Sequence, residues 1–168
     1  MSADPLVWPD GNDRVPYWVY TDQGNYEREL EKIFYGPVWN YAGLECEIPN
    51  AGDFKGTQIG EQSVIVVRDD EGNINALVNR CAHRGVKLCE QDKGSFHEII
   101  CPYHQWTYDL KGNLLGVPFY RGVKGNGGMP SDFSMKEHGL DILKVHVRNG
   151  GIFVTMSEET PPFEAYMG

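Results

Sequence analysis

The sequence has no long apolar run. Its longest β-branched stretch is Val64-Ile65-Val66-Val67, far short of the roughly 20 apolar residues that a membrane helix requires. It also lacks positive charge: 15 Lys and Arg stand against 24 Asp and Glu, for a formal charge of −9. That balance excludes a nucleic-acid grip or adhesion to an anionic membrane and leaves proteins and small molecules as partners. Residues 1–10 contain no basic segment leading into an apolar core, so no export signal is expected and a cytoplasmic location is. Cysteine is scarce as well, with four in 168 residues, too few for a disulfide-built scaffold. Cys46 and Cys89 are expected to be free small side chains in a reducing compartment.

The other two cysteines carry the signal. Cys81-Ala82-His83 and Cys101-Pro102-Tyr103-His104 each place one thiolate beside one imidazole. A two-iron, two-sulfide cluster needs that set if two Cys hold one iron and two His the other. The competing reading is one zinc ion on two Cys and two His. Zinc sites usually pair Cys with Cys and His with His, because both ligands of a pair must turn onto one atom. Two mixed pairs suit two metals better.

With Arg84-Gly85 after the first pair and Gln105-Trp106 after the second, the loops resemble Rieske iron-sulfur domains, and more closely the large (alpha) subunit of aromatic-ring-hydroxylating oxygenases. The resemblance implies a Rieske-type [2Fe–2S] cluster bound by Cys81, His83, Cys101 and His104, with Arg84, Gly85, Tyr103, Gln105 and Trp106 around it. Respiratory Rieske proteins join their loops by a disulfide, and the matching positions here are Val86 and Tyr103. Trp106 stands where those proteins have a serine that donates to cluster sulfur. A potential toward the bottom of the roughly −150 to +300 mV Rieske range is therefore expected. Gly85 is expected to allow a tight turn that aims backbone N–H groups at sulfur, and Arg84 to pair with a nearby carboxylate or to hold a subunit contact. Residues 116–124, followed by Gly127-Gly128-Met129-Pro130, are similar to a segment of oxygenases acting on salicylate, anthranilate or terephthalate.

The size suits one ordinary core. Residues 1–37 read as an N-terminal arm and helix, 38–160 as the Rieske domain, and 161–168, with Pro161-Pro162, as the start of a connector to a catalytic domain not present in the chain. Tyr17, Trp18 and Tyr20 suggest an arm lying against something. A helix is predicted over residues 27–34, capped by Asp22 or Asn25, with Tyr26, Leu30, Ile33 and Phe34 on its buried face. Strands are predicted over residues 44–48, 63–68, 74–79, 98–100, 106–109, 140–148 and 152–156. The fold class is mainly β, an antiparallel sandwich or small barrels with the cluster loops at one tip. His97, His138 and His146 read as surface histidines. No two-His, one-carboxylate set for a mononuclear iron is apparent.

The resemblance implies an oxidoreductase part in a dioxygenase or monooxygenase of aromatic breakdown. A reductase or ferredoxin would supply electrons, and the acceptor would be mononuclear Fe(II) in the other domain, typically of a neighbouring subunit in a trimer. Alone, the chain is expected to be redox-active, with reduction easier at low pH, and unable to oxygenate a substrate. A stand-alone Rieske ferredoxin shuttle and a zinc-binding interaction module stay open as alternatives.

Overall fold

The computed structural model describes residues 14–168; the part of the expected arm before Arg14 lies outside them. Ten β-strands are described. They form a seven-stranded antiparallel sheet in the order β1-β10-β9-β4-β3-β2-β5 and a three-stranded sheet, β6-β7-β8. Their ranges are β1 Asn40–Leu44, β2 Asp53–Ile59, β3 Gln62–Arg68, β4 Ile74–Val78, β5 Lys93–Ser95, β6 Ile99–Ile100, β7 Thr107–Tyr108, β8 Leu114–Gly116, β9 Ile142–Arg148 and β10 Gly151–Thr155. β1 also approaches β2, so the large sheet curls, and the mainly β, antiparallel class holds.

The unbroken apolar run of β3 follows from burial on both faces. Side chains alternate across a strand. Val64 and Val66 enter one core with Ala76, Val78, Ile152 and Val154. Ile65 and Val67 enter a second core with Leu77, Phe54, Cys81, Cys101, Trp106 and Tyr108. The second core fastens both cluster loops to the sheet. Four strands were not predicted: β1, which the predicted 44–48 meets only at Leu44, and β2, β5 and β8. β2 carries a glycine in its interior, Gly56, which weakens the strand signal. A side chain there would press on the Gln91 carbonyl at 3.0 Å, and the Gly56 N–H donates to Asp92 at 2.8 Å. β5 is three exposed residues with no apolar pattern to read.

Of residues 44–48, only Leu44 lies in a strand. Glu47 Oε2 accepts the Leu44 N–H at 2.8 Å, and this local bond turns residues Glu45–Glu47 into a 3-10 helix. The helix begins earlier than predicted. Asp22 caps α2, Gln23–Glu29, by accepting the Asn25 N–H at 2.7 Å. A π-helical turn, Leu30–Phe34, follows. That wider turn rotates the face, so Phe34 packs on the first core while Ile33 is 53% exposed. A further short helix, α1 Trp18–Thr21, precedes it. Within this chain Tyr17, at the start of α1, and Tyr20 are exposed, and α1 itself has no buried residue.

A last helical turn, α3 Phe163–Met167, follows Pro161-Pro162. Phe163 is buried and stacks on His146 at 4.3 Å, while the Trp39 indole N–H donates to the Pro161 carbonyl at 3.0 Å. His146 is therefore not a free surface histidine, since its Nε2 also meets Glu164 at 3.2 Å. No helix among the described residues is long and apolar enough to cross a membrane.

Candidate metal centre

The two loops are built on one backbone plan, twenty residues apart. The Cys81 N–H donates to Val86 at 2.8 Å, and the Gly85 N–H to the Cys81 carbonyl at 2.9 Å. In the second loop, the Cys101 N–H donates to Trp106 at 2.9 Å and the Gln105 N–H to the Cys101 carbonyl at 3.0 Å. Each turn needs a left-handed residue at its fifth position. Gly85 supplies it at φ +71°, and Gln105 occupies it at φ +55° despite its side chain. The Gly85 N–H itself is spent on the Cys81 carbonyl. The backbone N–H that reaches the Cys81 sulfur is that of His83.

These turns bring the four expected ligands together as two like pairs. Cys81 and Cys101 are both buried, and their thiols lie close enough to interact. The rings of His83 and His104 sit with centroids 4.7 Å apart at 68°. Trp106, buried, stacks on His83 at 4.7 Å and 8°, and Tyr103 tilts over His104 at 3.7 Å. The Nδ1 atom of His83 is buried and has no hydrogen-bond partner. A buried ring nitrogen left without a partner costs free energy unless something binds it, and a metal ion is the partner its lone pair suits. No three His, Cys, Asp or Glu among the described residues are placed to hold a single ion. The donor set, two thiols on one side and two imidazoles on the other, fits a binuclear cluster better than one zinc.

Electrostatics agree with that use. Burial pushes the Cys81 thiol up and, aided by His104 and Arg84, pushes the His83 imidazole below its ordinary value. A neutral imidazole is the metal-binding form, and the burial that disfavours a lone thiolate is offset where a bound cation neutralises its charge.

One contact was not foreseen. Tyr108, fully buried in β7, places its hydroxyl 3.2 Å from the Cys81 sulfur and 3.2 Å from the Ala82 nitrogen. Burial and the neighbouring Cys81 hold its phenol well above the ordinary range, so it stays protonated. The clue lay in the alternation after the second loop, where Trp106 and Tyr108 share one side of a strand. Asn79 was also missed. Its Oδ1 accepts the N–H groups of Leu88 and Cys89, and its Nδ2 donates to the Cys89 carbonyl, which fixes the chain leaving the first loop.

Arg84 is exposed and forms no ion pair among the described residues, an arrangement consistent with the other expectation, a subunit contact. His97 is exposed. His138 is not simply at the surface: it stacks on Phe133 at 4.3 Å and meets the edge of Trp106 at 6.1 Å. All four cysteines are free. Beside His104 an open groove of about 370 Å³, lined by Tyr103, Val117, Phe119 and Met129, is rimmed by exposed apolar side chains, Phe119 at 73% and Tyr103 at 58%.

A family model described as Rieske [2Fe-2S] domain matches residues 38–126. The whole chain is 54% identical to part of the large oxygenase component of salicylate 5-hydroxylase from Ralstonia sp, covering 41% of that protein. It is 50% identical, over 99% of its length, to part of the anthranilate 1,2-dioxygenase large subunit of Burkholderia cepacia, covering 40% of it. Among solved structures, naphthalene 1,2-dioxygenase from Rhodococcus sp. superposes with a TM-score of 0.81 at 33% identity, covering 92% of this chain and 34% of that one. The chain thus spans about two-fifths of the length of the curated relatives it matches.

Proposed function

The chain belongs to the Rieske [2Fe-2S] domain family, and we propose that it is the electron-carrying part of a ring-hydroxylating oxygenase large subunit whose substrate is an aromatic carboxylate. The observation that carries the reading is the partnerless, buried Nδ1 of His83 set beside His104, with the two thiols paired in the core behind them. Cys81 and Cys101 would hold one iron, and His83 and His104 the other. When bound, the cluster supplies one-electron chemistry, taking an electron from a donor and passing it on.

The chain's own residues shape that exchange. The sulfur side is sealed by Trp106, Tyr108 and the core, which keeps water from the thiolates. The imidazole side is partly open, and Tyr103 and His104 edge the apolar groove. An acceptor docking there would meet the imidazole edge directly. With Nδ1 of His83 turned inward, its Nε2 is the atom able to hold or release a proton, so electron uptake becomes easier as pH falls.

The names of the two curated relatives, a salicylate hydroxylase and an anthranilate dioxygenase, support the substrate class. Their greater length supports a further domain carrying mononuclear Fe(II), reached after residues 161–168. A reductase or ferredoxin would be the donor, the acceptor iron would belong to a neighbouring subunit of a trimer, and the reducing cytoplasm would be the setting. On this reading, residues 1–37 pack the Rieske unit, 38–160, into that assembly.

The substitution His104→Cys tests the ligand assignment by voltammetry. It is expected to retain some cluster, lower the midpoint potential and remove much of its pH dependence. An unchanged voltammogram would remove His104 from the ligand set.

A further inference from the structure

Resting on the cluster-bearing reading above, we propose that Trp106, Phe133 and Tyr120 form an electron-supply path, by which an electron taken from the ring beside His83 is replaced from the surface and the cluster ligands are spared. The rings are in continuous contact. Trp106 stacks on His83 at 4.7 Å, Phe133 meets Trp106 edge to face at 5.8 Å, and Tyr120 meets Phe133 in the same way at 6.0 Å. Indole and phenol are the aromatic side chains that give up an electron most readily. Phe133 is the packed bridge between them, stacked on His138 at 4.3 Å and tied to Tyr120, whose hydroxyl donates to the Phe133 carbonyl at 3.3 Å.

A phenol loses its proton as it loses its electron, so the last ring of such a path must meet water. Tyr120 does, at 37% exposure, whereas Tyr108 is fully buried and Tyr103 lies on His104 instead. The surrounding loop holds Tyr120 in place. The Met129 N–H donates to its carbonyl at 3.0 Å, and a side chain at Gly128 would press on that carbonyl at 2.7 Å. The path is needed when the cluster is oxidised and has no electron to give. A hydroxyl radical, or another one-electron oxidant of that strength, in the groove that Trp106 lines then takes an electron from the indole and becomes hydroxide. Tyr120 gives its electron to the indole radical cation, its phenol proton passes to water, and a tyrosyl radical is left at the surface. Without that transfer the missing electron is drawn from the thiolates and imidazoles, and oxidised sulfur no longer holds iron.

The test uses the purified full chain carrying Cys46→Ser, Tyr103→Phe and Phe119→Cys, with a ruthenium tris-bipyridyl photosensitiser attached to the introduced thiol in the groove. Cys46 is the exposed cysteine and the other three are buried, so the label has one target. After an oxidising flash, an indole radical is expected that decays as a tyrosyl radical rises, with the iron-sulfur spectrum retained. Adding Tyr120→Phe is expected to prolong the indole radical, abolish the tyrosyl signal and speed bleaching of the cluster. Equal indole decay with and without Tyr120, or no indole radical at all, overturns the inference and leaves the cluster reading intact; a wild-type chain with no iron-sulfur signal overturns both. If Tyr120→Phe does not hold a cluster, Phe133→Leu takes its place, which keeps both end rings and removes the bridge. Slower rise of the tyrosyl radical is then expected, and an unchanged rate overturns the inference.

Discussion

At the residue scale, the site depends on a few side chains whose every polar atom is committed. Asn79 fills both of its faces with backbone of the first loop's exit. Asn79→Ala would leave the Leu88 and Cys89 N–H groups buried and unpaired, a loss of about 2–3 kcal/mol, measurable as a lower urea midpoint. Asp69 plays a comparable part in the turn between β3 and β4. Burial opposes its ionisation, but hydrogen bonds from Asn73, Asn75 and Glu71 outweigh it and hold its carboxyl below the ordinary value of 3.8. Because the folded-state value is the lower one, Asp69 stabilises the fold above pH 3.8 and that contribution disappears as pH falls toward the folded-state value. Stability followed by denaturant titration should drop through this acid window in wild type, and less steeply in Asp69→Asn.

The four ligand candidates were legible at this scale because each is a chemically distinctive residue at a short spacing. Tyr108 was not, since a tyrosine two positions after a tryptophan in a strand reads as core until its hydroxyl is seen against sulfur. His138 and His146 were misread for a related reason: a loop position for the first and strand alternation for the second suggest solvent, but neither can show that Phe133 and Phe163 come to cover them.

At the scale of elements, repetition within the fold is stronger than repetition within the sequence. Asp69-Asp70-Glu71-Gly72-Asn73 and Asp109-Leu110-Lys111-Gly112-Asn113 form the same turn. In each the Asp N–H donates to the Asn carbonyl and the Gly N–H returns to the Asp carbonyl, and Lys111 bridges the two turns to Glu71 at 2.7 Å. The turns were visible from Asp, Gly and Asn, which local chemistry favours there. The likeness of the cluster loops was not, because only one of them marks its left-handed position with glycine. Gln105→Val should reveal that constraint. A β-branched residue at φ +55° is strained, and a cost of about 1–2 kcal/mol is expected, against little change for Gln105→Gly. Helix α3 makes a similar point. Pro161-Pro162 reads as a connector, yet Phe163 beyond it is buried among Trp39, His146 and Phe153. Phe163→Ala should lower stability by about 3 kcal/mol, seen as a fall in the thermal midpoint.

At the scale of the molecule, two cores divide the labour. One closes the curl of the large sheet; the other holds both loops against it. β3 and β4 serve both, which is why an unbroken apolar run precedes the first loop. The net effect is a thiol pair inside and an imidazole pair at the rim, facing a groove of exposed apolar side chains. Class and loop placement could be read from strand spacing and turns. The curl and the pairing of β4 with β9 could not, because they rest on contacts between residues far apart in the chain.

The central claim is that two irons are held unequally, one by sulfur and one by nitrogen. Mössbauer spectroscopy of the purified chain loaded with iron-57 tests it directly. Two inequivalent iron sites of equal area are expected in the oxidised state, with the added electron on one site alone after reduction. Two equivalent sites, or a colourless protein containing zinc, would contradict the account.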